Sequence, residues 1–111
     1  MEVRDENHGE LLIVQVCSPR LDASQAPQFK EEITSRIASG HTKLVLDFSM
    51  VDFIDSTGLG ALVNCMKRLG KGHLSIVGVK GAVGRLFALT RMDQVFTVYP
   101  TMDSALAHQG A

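Results

Sequence analysis

The chain reads as an α/β protein: a mostly parallel, mixed β-sheet with an antiparallel N-terminal edge strand and about four helices. Three observations predict this. Apolar runs of strand length alternate with amphipathic helical stripes, in the order of one strand followed by four successive β-α units. The connections between them are short, which favours right-handed crossovers and parallel neighbours. A length of 111 residues, 45% hydrophobic and 21% charged, suits one core, so residues 1–111 are expected to form a single domain. Aromatic content is only 5%, with no Trp, so that core must be built from Val, Ile, Leu, Met and Ala.

Each element has its own signal. Glu2 to Asn7 is weakly strand-like, and Asn7-His8-Gly9 supplies turn chemistry that folds it back as an edge hairpin. Glu10 to Cys17 is almost continuously apolar, as expected of a strand covered on both faces. Ser24 is the expected N-cap of the first helix, with Pro27 tolerated in its first turn. Ala26, Phe29, Ile33 and Ile37 form that helix's apolar stripe, and Gly40 closes it. Lys43 to Phe48 is the third strand, with Leu44, Leu46 and Phe48 on one face and Val45 on the other. A loop from Met50 to Asp55 leads to a second helix, striped by Leu59, Leu62, Val63, Met66 and Leu69 and closed by Gly70 and Gly72. His73 to Val79 is the next strand, and Ala82 to about Met92 a short helix resting on Val83, Leu86 and Phe87. Val95 to Tyr99 is the last strand; Pro100 ends it, and Thr101 caps a final helix.

Charge and composition narrow the function. Eleven Lys plus Arg against twelve Asp plus Glu leave a net charge of −1, so there is no general attraction for nucleic acid or for an anionic membrane surface. No apolar run reaches bilayer length, and Met1 to Glu6 lacks the features of a signal peptide, so a cytoplasmic protein is expected. Cys17 and Cys65 sit far apart among apolar neighbours and fit neither a redox pair nor a metal site; buried free thiols are expected. No metal and no cofactor are expected.

The segment Leu46 to Gly60 is the least ordinary stretch, packing three acids, hydroxyls and two glycines around a helix start. It follows a strand, as does the Asp22 loop, and sites in open α/β sheets form beyond the carboxyl ends of strands. Either Asp55 or Ser56 can serve as N-cap, which by itself needs no further function. Yet Gly58 and Gly60 each weaken the helix by about 1 kcal/mol relative to Ala, as if the backbone had to be approachable there. The alternative is that Ser56 is a phosphoacceptor. A phosphoryl group at a helix N-terminus meets free N–H donors and the positive end of the dipole, and adds about −1.5 to −2 of charge. It would lie near Asp22, Asp52 and Asp55 and change what a partner meets without refolding the chain.

The run Val45-Leu-Asp-Phe-Ser-Met-Val-Asp-Phe-Ile-Asp-Ser-Thr-Gly-Leu-Gly60 resembles the signature of the STAS domain family, in particular the bacterial anti-sigma factor antagonists. Arg20-Leu21-Asp22 with Ala26 resembles the family's first β-α loop, although Ser18-Pro19 stands where the family often has Gly. The resemblance implies a partner-switching regulator without catalytic activity. Its unphosphorylated form would bind an anti-sigma factor that is also a serine kinase, and so free a sigma factor for transcription. Phosphorylation at Ser56 would switch it off, and a PP2C-type phosphatase would reverse this. By the same resemblance Asp22, Asp55, Ser56, Thr57, Gly58 and Leu59 form the partner-binding site, with Met50, Val51, Phe53 and Ile54 as apolar neighbours divided between contact and core.

Competing classes fare worse on the residues. No G-x-S-x-G elbow surrounds Ser56, and none of His8, His41, His73 or His108 belongs to a base motif, so an enzyme is not expected. Gly81-Ala-Val-Gly84 lacks the Lys and hydroxyl of a phosphate-binding loop. The remaining alternative is a constitutive STAS interaction subunit of a transport or stress-sensing complex, in which Ser56 is merely a cap and there is no phospho-switch.

Overall fold

A computed structural model describes residues 1–70 and 73–109. In chain order the strands and helices are β1 (Val3–His8), β2 (Leu11–Val16), β3 (Arg20–Leu21), α1 (Ala26–Ala38), β4 (Leu44–Asp47), β5 (Phe53–Ile54), α2 (Ser56–Leu69), β6 (Leu74–Val77), α3 (Gly81–Leu89), β7 (Thr97–Tyr99) and α4 (Met102–Gln109). The main sheet runs β1-β2-β4-β6-β7. Only β1 is antiparallel, paired from Val3↔Val16 to His8↔Leu11 through a turn in which Gly9 takes φ +63°. The other neighbours are parallel, with Leu12↔Leu44 and Leu44↔Leu74 setting the register at the centre. The mixed α/β fold with four α-helices is as the sequence predicts.

The period-two alternation divides the core between two faces. Leu12, Val14, Leu44, Leu46, Phe48 and Ile76 meet Phe29 and Ile33 of α1, Leu59 and Leu62 of α2, and Val83 and Phe87 of α3. Leu11, Ile13, Val45 and Val77 point the other way and are covered by α4 through Ala105. Three helices therefore build the larger layer, and one short helix builds the smaller.

Several expectations need correction. Ser24 does not cap α1: the N-cap position is Gln25, with no side-chain cap, while Ser24 turns back to bond Asp22. The reason is local, because an Asx turn at Asp22 takes the Ser24 N–H and hydroxyl before the helix begins. Cys65 is buried but Cys17 is only half-buried. Burial pushes the Cys65 thiol up to about 11, with Lys30 and Arg68 pulling weakly the other way, so it stays protonated at neutral pH. The helix expected to reach Met92 stops at Leu89; Arg91 takes φ +59° and a single 3₁₀ turn, Met92–Gln94, follows. Thr101 does cap α4, its Oγ1 accepting from the Ser104 N–H at 3.1 Å. The expected closing residue Gly72, with Lys71, lies outside the described residues; Gly70, at φ +106°, ends α2.

The feature with no counterpart in the sequence reading is a second, two-stranded sheet. β3 and β5 pair in parallel, Arg20↔Phe53 and Leu21↔Ile54, within segments read as loops. The Pro19 carbonyl accepts from the N–H groups of both Asp52 and Phe53, at 2.8 and 3.1 Å, and fixes the approach of the two segments. Strands of two residues are too short to show a period.

Candidate functional site

The small β3/β5 sheet brings the two candidate loops together just beyond the main-sheet strands β2 and β4. Leu21 and Ile54 are its buried side, and Asp22 and Asp55 follow them directly. Asp55 then does three things at once. Its Oδ1 accepts from the Gly58 N–H at 2.9 Å, making it the N-cap of α2. Its Oδ2 accepts from the Ala23 N–H at 3.1 Å, tying the Asp22 loop to the helix start. Its own N–H donates to the Leu21 carbonyl at 3.4 Å. One carboxylate thus links both halves of the site.

Asp22 is equally committed. Its Oδ1 accepts from the Ser24 N–H at 3.0 Å and the Ser24 hydroxyl at 2.6 Å, its Oδ2 accepts from Arg20 Nε at 3.1 Å, and its carbonyl takes the Gln25 and Ala26 N–H groups at the entry to α1. The Ser24 hydroxyl foremost, then Arg20, holds its carboxyl below the usual value, since each bond favours the charged form. The sign follows: an Asp with a lowered native pKa contributes order above its unfolded value near 3.8 and loses it as pH falls through the native one. A pH titration followed by NMR is expected to show the Ser24 and Ala26 amides holding position down to about pH 4 and moving together below it. Movement that begins well above pH 4 would refute this assignment.

With Asp55 as cap, Ser56 is the first helical residue and Thr57 the second. Both are exposed, and neither hydroxyl has a hydrogen-bond partner among the described residues. Gly58 and Leu59 are buried below them. The Gly58 position is dictated by packing: a Cβ there would run into the Leu21 carbonyl oxygen, with the Leu21 carbon at 3.0 Å and Ile54 Cγ1 at 3.1 Å. Of the expected apolar neighbours, Val51 and Ile54 are core, whereas Met50 and Phe53 are exposed, 47% and 37% respectively. Asp52, expected nearby, is exposed on the same loop.

Arg20 is a participant to which the sequence reading assigned no role. Its guanidinium carbon lies 4.4 Å from the centre of the Phe53 ring, while Nε holds Asp22. The available signal is the Arg-x-Asp spacing, which puts both side chains on one side of an extended segment. Among the described residues no group of three or more His, Cys, Asp or Glu is placed to hold a metal ion, and no helix is long and apolar enough to cross a membrane.

The fold and this site define an α/β domain whose second helix begins with two exposed hydroxyls that have no hydrogen-bond partner among the described residues, bordered by a fixed acidic loop and an exposed aromatic residue. The STAS domain family matches over residues 2–105, and the chain belongs to that family. It is 32% identical over 80 residues to the anti-sigma-B factor antagonist of Staphylococcus aureus, covering 70% of this chain and 74% of that one. The crystal structure of an anti-sigma factor antagonist from Mycobacterium paratuberculosis superposes with a TM-score of 0.86 at 32% identity, over 96% of this chain and 92% of that one. The fold is also that of SpoIIAA in its unphosphorylated form, with a TM-score of 0.78 at 18% identity over 99% and 98% of the two chains. The phosphorylated form of SpoIIAA superposes at 0.69, over 96% of this chain and 98% of that one, again at 18% identity.

Proposed function

We propose that the chain acts as one STAS domain and is an anti-sigma factor antagonist: unmodified, it binds an anti-sigma factor with serine kinase activity and so releases a sigma factor. Phosphorylation at Ser56 ends that binding, and a PP2C-type phosphatase restores it. It is a cytoplasmic regulator of transcription by partner switching, not an enzyme, and it uses no cofactor. The observation that carries the reading is the division of labour at the start of α2. Asp55 supplies the cap, and the Ser56 hydroxyl is exposed with no hydrogen-bond partner among the described residues.

The same geometry supplies a reason for switching. A phosphoryl group on Ser56 stands at the N-terminal end of a 14-residue helix, where the dipole tolerates it, yet within a loop region already carrying Asp22, Asp52 and Asp55. The domain keeps its fold while the partner meets a strongly negative surface. Names borne by relatives support the antagonist class, and a fold neighbour, SpoIIAA, exists in both phosphorylated and unphosphorylated forms.

The test is intact-mass analysis with peptide mapping after incubation with ATP, Mg²⁺ and the source organism's anti-sigma factor kinases. One phosphate on Ser56, absent in Ser56→Ala, with loss of the complex on modification, is expected. Ser56→Asp should bind at least tenfold more weakly, while Ser56→Ala binds like the parent chain, with circular dichroism confirming that both are folded. Tight binding without modification would replace this reading by the constitutive STAS subunit.

A further inference from the structure

β1 is the outermost strand of the main sheet, paired with β2 on one side only. One contact sets the phase of its hydrogen bonds. Cys17 donates its N–H to the Glu2 carbonyl at 3.0 Å, so Glu2 and, by alternation along the ladder, Arg4, Glu6 and His8 turn their backbone groups toward β2. The N–H and C=O groups of Val3, Asp5 and Asn7 therefore point outward from the sheet. Arg4 to His8 are exposed without a break, so neither α1 on one face nor α4 on the other overhangs this edge.

Charges on an edge strand ordinarily discourage pairing. Here their order favours it in one register. A second, antiparallel β1 can bond to this edge only by setting outward-pointing residues against outward-pointing ones. With Asp5 on the two-fold axis, Val3 meets Asn7 of the second copy, and these positions exchange N–H···O bonds. Between them, at the non-bonded positions where side chains stand closest, Arg4 meets Glu6 of the second copy and Glu2 meets its His8. The neighbouring registers of the same phase set Arg4 against Arg4 or Glu6 against Glu6. The two Asp5 carboxylates face each other across the axis, but each is held by Arg36 Nε at 2.9 Å, which offsets their repulsion. Arg4 Nε touches Glu2 of its own chain at 3.2 Å, and its terminal nitrogens can serve a second acid.

We propose that β1 is a self-association edge: two copies of the chain pair β1 to β1, antiparallel and in this register, joining two five-stranded sheets into one. The two-fold axis reverses the strand direction, so the carboxyl ends of β2 and β4, and the Ser56 sites beyond them, lie at opposite ends of the pair. No residue of either site is covered, and the pair presents two of them. The pairing does not depend on the antagonist reading.

Sedimentation velocity of the full chain between about 10 µM and 1 mM should show a reversible monomer–dimer equilibrium, weakened by raising salt from about 0.05 to 0.5 M because the charge pairs are exposed. Arg4→Glu and Glu6→Arg each place like charges opposite one another and should raise the dissociation constant at least tenfold. Both should keep the parent's circular dichroism and urea midpoint, since both side chains are exposed. Mixed in equal amounts, the two variants should associate with each other about as well as the parent does with itself, because each charge then meets its opposite. A parent that stays monomeric throughout overturns the proposal and leaves the edge to an extended segment of another protein. A dimer that both single variants form as readily as the parent, or single variants that fail to associate when mixed, overturns it too.

Discussion

Leu62→Asp is expected to abolish the folded state. Leu62 is wholly buried where α2 meets the sheet, among the side chains of the larger core layer. Truncating a buried Leu to Ala costs about 2–5 kcal/mol, and an acid in its place adds the penalty of a buried polar group with no partner, whether charged or forced neutral. A domain whose total stability is about 5–15 kcal/mol has little or nothing left after both losses. Far-UV circular dichroism should therefore lack a native helical signal and a cooperative urea transition, while Leu62→Ala should keep both with a lower midpoint. A cooperative transition in Leu62→Asp near the parent midpoint would mean that α2 does not pack as described.

Gly58→Ala should be the most damaging single-methyl change at the site, and its sign runs against helix propensity. Propensity alone favours Ala by about 1 kcal/mol. The new methyl, however, falls on the Leu21 carbonyl, which is backbone and is held by the β3/β5 pairing and by the Asp55 N–H. Either α2 moves away from β3, breaking the bonds that Asp55 makes, or the small sheet distorts. Overpacking costs about 1–3 kcal/mol where side chains can yield, and backbone puts this site at or above the top of that range, so after the propensity gain a net loss of about 2 kcal/mol is expected. Urea unfolding would show it as a lower midpoint at unchanged slope. A midpoint at or above the parent value would show that Leu21 can give way.

Much of this was legible from residue order, and the exceptions share a cause. Leu44, Leu46 and Phe48 against Val45 announce a strand buried on both sides, and the structure places them in the two layers accordingly. Ala26, Phe29 and Ile33 announce the inner stripe of α1, and all three are buried. Ser24 misled because a hydroxyl three residues before a Pro looks like a cap, whereas here the hydroxyl and N–H of Ser24 both donate to the Asp22 carboxylate. The β3/β5 sheet escaped because pairing between two-residue segments is decided by distant chain, here the Pro19 carbonyl reaching Asp52 and Phe53. At the site, Asp22, Asp55, Ser56 and Gly58 could be located from the motif. That both carboxylates are spent on internal bonds, while the Ser56 and Thr57 hydroxyls have no partner among the described residues, required coordinates.

The bridge from Asp55 to the Ala23 N–H also bears on how fast such a protein can work. Because the two loops are locked to each other before any partner arrives, an encounter needs no search through loop arrangements and loses little entropy in ordering them. Association is then limited by diffusion and orientation, and the lifetime of a complex by the contacts made at its surface. On the proposed reading, the tempo of response would then be left to the abundance of the partners and to the rate of modification at Ser56, rather than to a rearrangement of these two loops.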